Sequence, residues 1–137
     1  MRLGSELTYT PQDLGVNALV VTATPQNSSA FGIDGCNQLT LVGQYTRVAG
    51  TNLAFQLETS YDAGTTWNVV STEEITGAGS GTFDKFIHND DNAASHNFHL
   101  NYPVHGGMGC NMRIGAITCT AGTTDTLTLT AHVAAVP

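Results

Sequence analysis

Hydrophobic and polar residues alternate along much of this chain with a period of two. In LAFQLETSY (53–61), Leu53, Phe55, Leu57, Thr59 and Tyr61 fall on one side, against Ala54, Gln56, Glu58 and Ser60 on the other. NQLTLVGQYTR (37–47) repeats the pattern with Leu39, Leu41, Gly43 and Tyr45, and HNFHLNY (96–102) with Phe98, Leu100 and Tyr102. TLTLTAHVAAV (126–136) sets Leu127, Leu129, Ala131 and Val133 against Thr126, Thr128, Thr130 and His132. Successive side chains on a strand point to opposite faces, so each run reads as an antiparallel strand with one buried side.

NALVVTA (17–23), WNVVSTEEI (67–75), TFDKFIHN (82–89) and CNMRIGAITC (110–119) add further strands. Turn chemistry separates them: TPQNSS (24–29), residues 49–52, residues 62–66, GAGSG (77–81), NDDNAAS (89–95), PVHGGMG (103–109) and AGTTD (121–125). No long Ala/Leu/Glu/Lys stretch argues for a helix. About eight strands at this spacing predict an all-β fold, an antiparallel β-sandwich of jelly-roll type. An immunoglobulin-like sandwich is the alternative topology, although its Cys…Trp…Cys pattern is missing. Residues 1–16, broken at Pro11, read as an extended N-terminal arm that could reach residue 35. Residues 17–137 then form a single sandwich domain, a size that buries a sizeable core.

Composition narrows the function. Charged residues are 11% of the chain, with 4 Lys+Arg against 11 Asp+Glu and a net charge of −7. Thr, Ser, Asn and Gly fill the deficit. The basic residues Arg2, Arg47, Lys85 and Arg113 are scattered, so a phosphate backbone is repelled rather than bound and nucleic acid is not an expected partner. No apolar run approaches the ~20 residues of a membrane helix, so no membrane partner is expected. The first residues, MRLGSELTYT, lack the apolar segment of a secretory leader. Cys36, Cys110 and Cys119 are an odd set without CxxC spacing and read as reduced core residues.

One motif is sharp. Residues 60–67 read Ser-Tyr-Asp-Ala-Gly-Thr-Thr-Trp and match S-x-D-x-G-x-T-W, the Asp-box pattern known from sialidases and other β-propellers. Ser60, Asp62, Gly64, Thr66 and Trp67 fill its five positions. The pattern has the logic of a hairpin turn. A carboxylate accepts backbone N–H groups, a glycine takes a left-handed conformation, and a tryptophan anchors the returning strand. One copy in a chain with strands for two blades predicts a structural turn and no sialidase chemistry.

Other candidates resolve to surface features. His88, His96, His99, His105 and His132 have no metal-ligand spacing, and His96 and His99 face opposite ways on a strand. Asn89-Asp90-Asp91-Asn92 offers oxygen ligands without the EF-hand pattern and reads as a solvated turn. Glu73 and Glu74, adjacent on a strand, face opposite sides and cannot cooperate as an acid/base pair. The Gly-rich loops lack a phosphate-cradle context. No catalytic set, metal site or cofactor is expected, and the chain is not expected to be an enzyme.

The strand pair LAFQLETSYDAGTTWNVV (53–70), and the closing segment MRIGAITCTAGTTDTLTLTAHVA (112–134), resemble those of small virion structural proteins of tailed bacteriophages. Among these, capsid decoration (cement) proteins are the most similar in size and pattern. That resemblance implies a jelly-roll homotrimer made in the host cytoplasm and placed on the outer capsid surface of the virion. It would stabilise the shell by bridging major capsid protein subunits. Leu3, Leu7, Tyr9 and Leu14 would be the apolar anchors by which the arm contacts capsid or a neighbouring copy. The rival reading is a glycan-binding or host-attachment module on a tail or fibre. In that reading exposed aromatics among Tyr45, Tyr61, Trp67 and Tyr102 stack on sugars.

Overall fold

The computed structural model describes residues 6–46, 52–76, 86–88, 95–119 and 125–137. In chain order the elements are β1 (Glu6–Tyr9), α1 (Pro11–Leu14), β2 (Leu19–Val20), β3 (Phe31–Gly32), β4 (Gln38–Thr46) and β5 (Asn52–Ser60). They continue with β6 (Asn68–Thr76), β7 (Phe86–His88), β8 (Ser95–Pro103), β9 (Asn111–Cys119) and β10 (Thr126–Ala134). Two antiparallel sheets form a sandwich. The larger has the order β1-β10-β4-β8-β7, with β2 also pairing β10, and the smaller the order β3-β9-β5-β6.

The alternation seen in the sequence becomes the core. Leu39, Leu41, Leu127, Leu129, Ala131 and Val133 of the larger sheet are buried against Leu53, Phe55, Leu57, Met112, Ile114 and Ile117 of the smaller. Gly43 lies opposite Phe98 in the β4–β8 register. A Cβ on Gly43 would stand 2.1 Å from the Phe98 ring, so the ring occupies the space that glycine leaves. Cys36, Cys110 and Cys119 are free and buried. The outward positions of the larger sheet carry Thr40, Val42 and Gln44 on β4, His99 and Asn101 on β8, and Thr128, Thr130 and His132 on β10. These outward positions carry no Asp, Glu, Lys or Arg.

The expected N-terminal arm is different in the structure. Over residues 6–20 it runs along the outer side of β10. β1 pairs Glu6–Tyr9 with Ala131–Ala134, and β2 pairs Leu19 and Val20 with Leu127 and Thr126. Between them α1 is fixed by a capping box. Thr10 Oγ1 accepts from Asp13 N–H at 3.2 Å, Asp13 Oδ2 accepts from Thr10 N–H at 2.9 Å, and Gly15 closes the turn at φ +68°. This helical turn drops Leu14 into the core at 0% exposure, a burial contributing roughly 1.5–3 kcal/mol. The pairings with β10 and the buried Leu14 tie this segment to its own sheet.

Candidate functional site

A groove of about 560 Å³ opens between the two sheets at one end of the sandwich. Its volume falls within the ~300–1,000 Å³ of small-molecule sites. Leu57, Met112 and Val104 give it a buried apolar floor and Val70 an exposed apolar side, while Thr59, Asn68, Ser71 and His105 supply hydroxyl, amide and imidazole groups. Tyr61 and Tyr102 both line it.

The two tyrosines arrive by different routes. Tyr102 belongs to the inward face of β8, opposite Leu39. Its hydroxyl donates to Glu73 Oε2 at 3.1 Å, from the neighbouring sheet. Burial, and after it the Glu73 carboxylate, hold its phenol protonated well above the ordinary value. Tyr61 follows the last residue of β5. The β5–β6 register shifts between Leu57 and Glu58, and β5 ends at Ser60, so Tyr61 leaves the core and is 58% exposed. Its hydroxyl donates to the His105 carbonyl at 2.9 Å, and Gly107 lies under its ring edge, where a Cβ would come within 3.3 Å. An exposed aromatic ring is thus fixed in place on the rim, a pre-organised contact surface. A second depression of about 370 Å³ lies beyond Tyr102 and shares that residue and Pro103.

The Asp-box residues form a tight turn beside the groove. Asp62 Oδ1 accepts from the Ser60 hydroxyl at 2.7 Å and from Thr66 N–H at 2.8 Å, and Ser60 Oγ accepts from Gly64 N–H at 2.9 Å. Ala63 and Gly64 both have left-handed φ, at 59° and 88°. The backbone N–H of Thr66, with help from the Ser60 and Thr66 side chains, lowers the Asp62 carboxyl to about 2. Trp67 turns to the other face of the smaller sheet. There Arg113 stacks over it, with the guanidinium carbon 4.4 Å from a ring centroid. Arg113 also pairs with Glu58 at 2.8 Å, and Gln56 donates to the second Glu58 oxygen at 2.6 Å. Glu58 is only 4% exposed, and a Cβ on Gly115 would lie 1.9 Å from its carboxylate. Glycine is needed at that position to admit the buried charge.

The remaining candidates scatter. Tyr45 is in the core at 0% exposure, its hydroxyl bonded to the buried Asp125 carboxylate, and is closed to any ligand. Of the arm anchors, Leu14 is core and Tyr9 packs on Phe31 while donating to the Gly32 carbonyl at 2.7 Å. Leu7 is exposed on the sheet edge, and Leu3 lies outside the described residues. Tyr9 and Leu14 therefore have partners within the chain. His99 and His132 lie on the outer face of the larger sheet, His132 Nδ1 being 3.0 Å from Thr8 Oγ1, while His105 is at the groove. No group of His, Cys, Asp or Glu is arranged for a metal among the described residues. The side chains of His88 and His96, residues 89–92 and the 77–81 loop lie outside the description. Glu73 and Glu74 do face opposite sides, Glu73 toward Tyr102 and Glu74 toward Asn52.

No protein-family model and no curated protein matches this sequence. Solved structures match it in fold. A family 35 carbohydrate binding module from Clostridium thermocellum superposes with a TM-score of 0.53 at 10% identity, over 95% of this chain and 98% of that one. The SPBc2 prophage-derived protein YomS gives a TM-score of 0.43 at 12% identity, over 94% and 92%. The C-terminal CBM6 of LamC, a marine laminarinase from Zobellia galactanivorans, gives 0.44 at 9%, over 94% and 99%. The likeness to the first is one of fold: this chain is a jelly-roll β-sandwich.

Proposed function

We propose that this chain is a carbohydrate-binding module without catalytic activity of its own, and that the groove bounded by Tyr61 and Tyr102 is its binding site. The observation that carries this reading is the meeting of two tyrosines, an apolar floor and a ring of neutral hydrogen-bonding groups in one groove. A sugar ring has an apolar C–H face and a polar rim. The Tyr61 face, held by its bond to the His105 carbonyl, suits the first. Asn68, Ser71 and Thr59 suit the second. Glycoside hydrolysis commonly uses two carboxylates across the scissile bond, and the described residues lining the groove include none, so we read it as a binding site. The fold shared with a carbohydrate binding module supports the reading. With the resemblance to phage virion proteins, it points to host attachment from a tail or fibre. Of the arm residues named for a capsid-bridging role, Leu14 and Tyr9 are engaged inside the domain, while Leu7 is exposed.

The test is a glycan array followed by calorimetry, with wild type beside Tyr61→Ala. Binding of at least one glycan, weakened about tenfold or more in Tyr61→Ala, is expected, since a single aromatic anchor commonly carries that much. A bound glycan whose affinity is indifferent to Tyr61 and Tyr102 would contradict the proposed site.

A further inference from the structure

Resting on the carbohydrate reading, we infer that the site is longer than the groove. It takes an extended oligosaccharide whose chain passes from Tyr61 across Tyr102 and Pro103 into the neighbouring depression. The two hollows adjoin, since Tyr102 and Pro103 line both. These residues end β8, so the ridge between the hollows is the end of one strand. On one side the groove reaches Asn68 and Ser71 of β6. On the other the depression reaches Gln38 of β4, which lies opposite Pro103 in the β4–β8 register. Stacked sheets lie ~10 Å apart and paired strands ~4.8 Å apart, so the path from β6 across to β8 and on to β4 is about 15 Å long. A disaccharide is too short to fill it.

The depression is prepared for a hydroxyl-bearing chain. Its far wall is fixed by Asn37, whose Nδ2 donates to the Val136 carbonyl at 2.8 Å and whose Oδ1 accepts from the Val136 N–H at 2.8 Å. Asn37 thereby serves the wall, and the neighbouring amides serve a ligand. Asn101 is oriented by Thr40, whose hydroxyl donates to Asn101 Oδ1 at 2.6 Å and leaves the Nδ2 protons to donate outward. The Gln38 amide has no hydrogen bond among the described residues and can both donate and accept. Pro103 and Val136 supply apolar surface beside these amides. Sugar hydroxyls are donors and acceptors at once and match Gln38 and Asn101, while the C–H face of a sugar ring matches Pro103 and Val136. Walls held in place before binding lower the ordering cost of the longer ligand.

The experiment titrates the whole chain as wild type, Tyr61→Ala, Gln38→Ala and Gln38→Ala/Asn101→Ala, by calorimetry. The probes are cello-, xylo-, manno- and chito-oligosaccharides, each series running from disaccharide to hexasaccharide. In the series that binds, wild type should hold the hexasaccharide at least about tenfold more tightly than the disaccharide, since each net hydrogen bond gained is worth a few-fold in affinity. Gln38→Ala should cut that gain about threefold, and the double variant should remove most of it. Tyr61→Ala should weaken every length. Gln38 makes no hydrogen bond within the described residues, so its single variant keeps the fold, and thermal melts check the double variant. Affinity that stops rising at the disaccharide, or a gain that survives intact in the double variant, overturns the extended site. Loss of binding in Tyr61→Ala would then leave the carbohydrate reading standing. Failure of every series to bind overturns both.

Discussion

Arg113→Met tests the buried ion pair on the outer face of the smaller sheet. Glu58 is 4% exposed, and its carboxylate takes Arg113 Nε at 2.8 Å and Gln56 Nε2 at 2.6 Å. Removing Arg113 leaves a buried carboxylate with one amide donor. Breaking a buried pair in this way costs ~3–5 kcal/mol. Arg113 keeps a quarter of its side chain in solvent, which places the expected cost near the low end, about 3 kcal/mol. Loss of the guanidinium from the Trp67 face adds ~0.5–1 kcal/mol. The double variant Glu58→Gln/Arg113→Met removes the stranded charge along with its partner and should recover at least about 2 kcal/mol of that cost. Urea unfolding at neutral pH, followed by tryptophan fluorescence, measures wild type, Arg113→Met, Glu58→Gln and the double variant. The reasoning is refuted if Arg113→Met costs less than about 1 kcal/mol, or if the two single substitutions simply add in the double variant.

Three further outcomes follow from the same geometry. Gly43→Ala should cost ~1–3 kcal/mol because its methyl meets the Phe98 ring at 2.1 Å, and Phe98→Leu in that background should return part of the loss in a denaturant melt. Thr10→Ala removes the cap of α1 and should cost about 1 kcal/mol, with faster hydrogen exchange at the Leu14 and Val16 amides, which bond to Thr10 and Pro11 carbonyls at 3.0 and 3.1 Å. The Asp62 carboxyl is lowered from 3.8 to about 2 in the folded turn, so its contribution is present above the unfolded value and is lost as pH falls from 3.8 toward 2. The melting temperature of Asp62→Asn should therefore lie below wild type at neutral pH and converge on it in acid, whereas a gap independent of pH would rule out the carboxylate as the turn's fastener.

The long strands were legible because their alternation is local. Residues 39–45, 53–57 and 127–133 alternate inward and outward in the structure as they do in the sequence. The N-terminal edge was not legible, since β1 is four residues long and its partner in β10 lies more than a hundred positions away. The helical turn did leave a signal, Thr10-Pro11-Gln12-Asp13 with Gly15 behind it, but four residues are too few to show a helical period. The site was half legible. Period two places Tyr45, Tyr61 and Tyr102 alike on inward positions. Which of them reaches an opening depends on where β5 shifts register and where the 103–109 loop crosses the end of the sandwich. Glu58 reads as an ordinary outward polar position, and its burial follows from Arg113 and Gly115 arriving on β9, 55 or more residues later.

Chemical-shift mapping tests the central claim most directly. The ¹⁵N-labelled protein is titrated with the neutral oligosaccharide that binds most tightly in the array. Shifts should concentrate on Thr59, Tyr61, Asn68, Ser71, Tyr102 and His105, the groove lining, and leave Arg113 and the Trp67 indole on the opposite face unmoved. Shifts confined to the outer face of the larger sheet, around Val42, His99 and Thr130, would contradict the assignment of the groove.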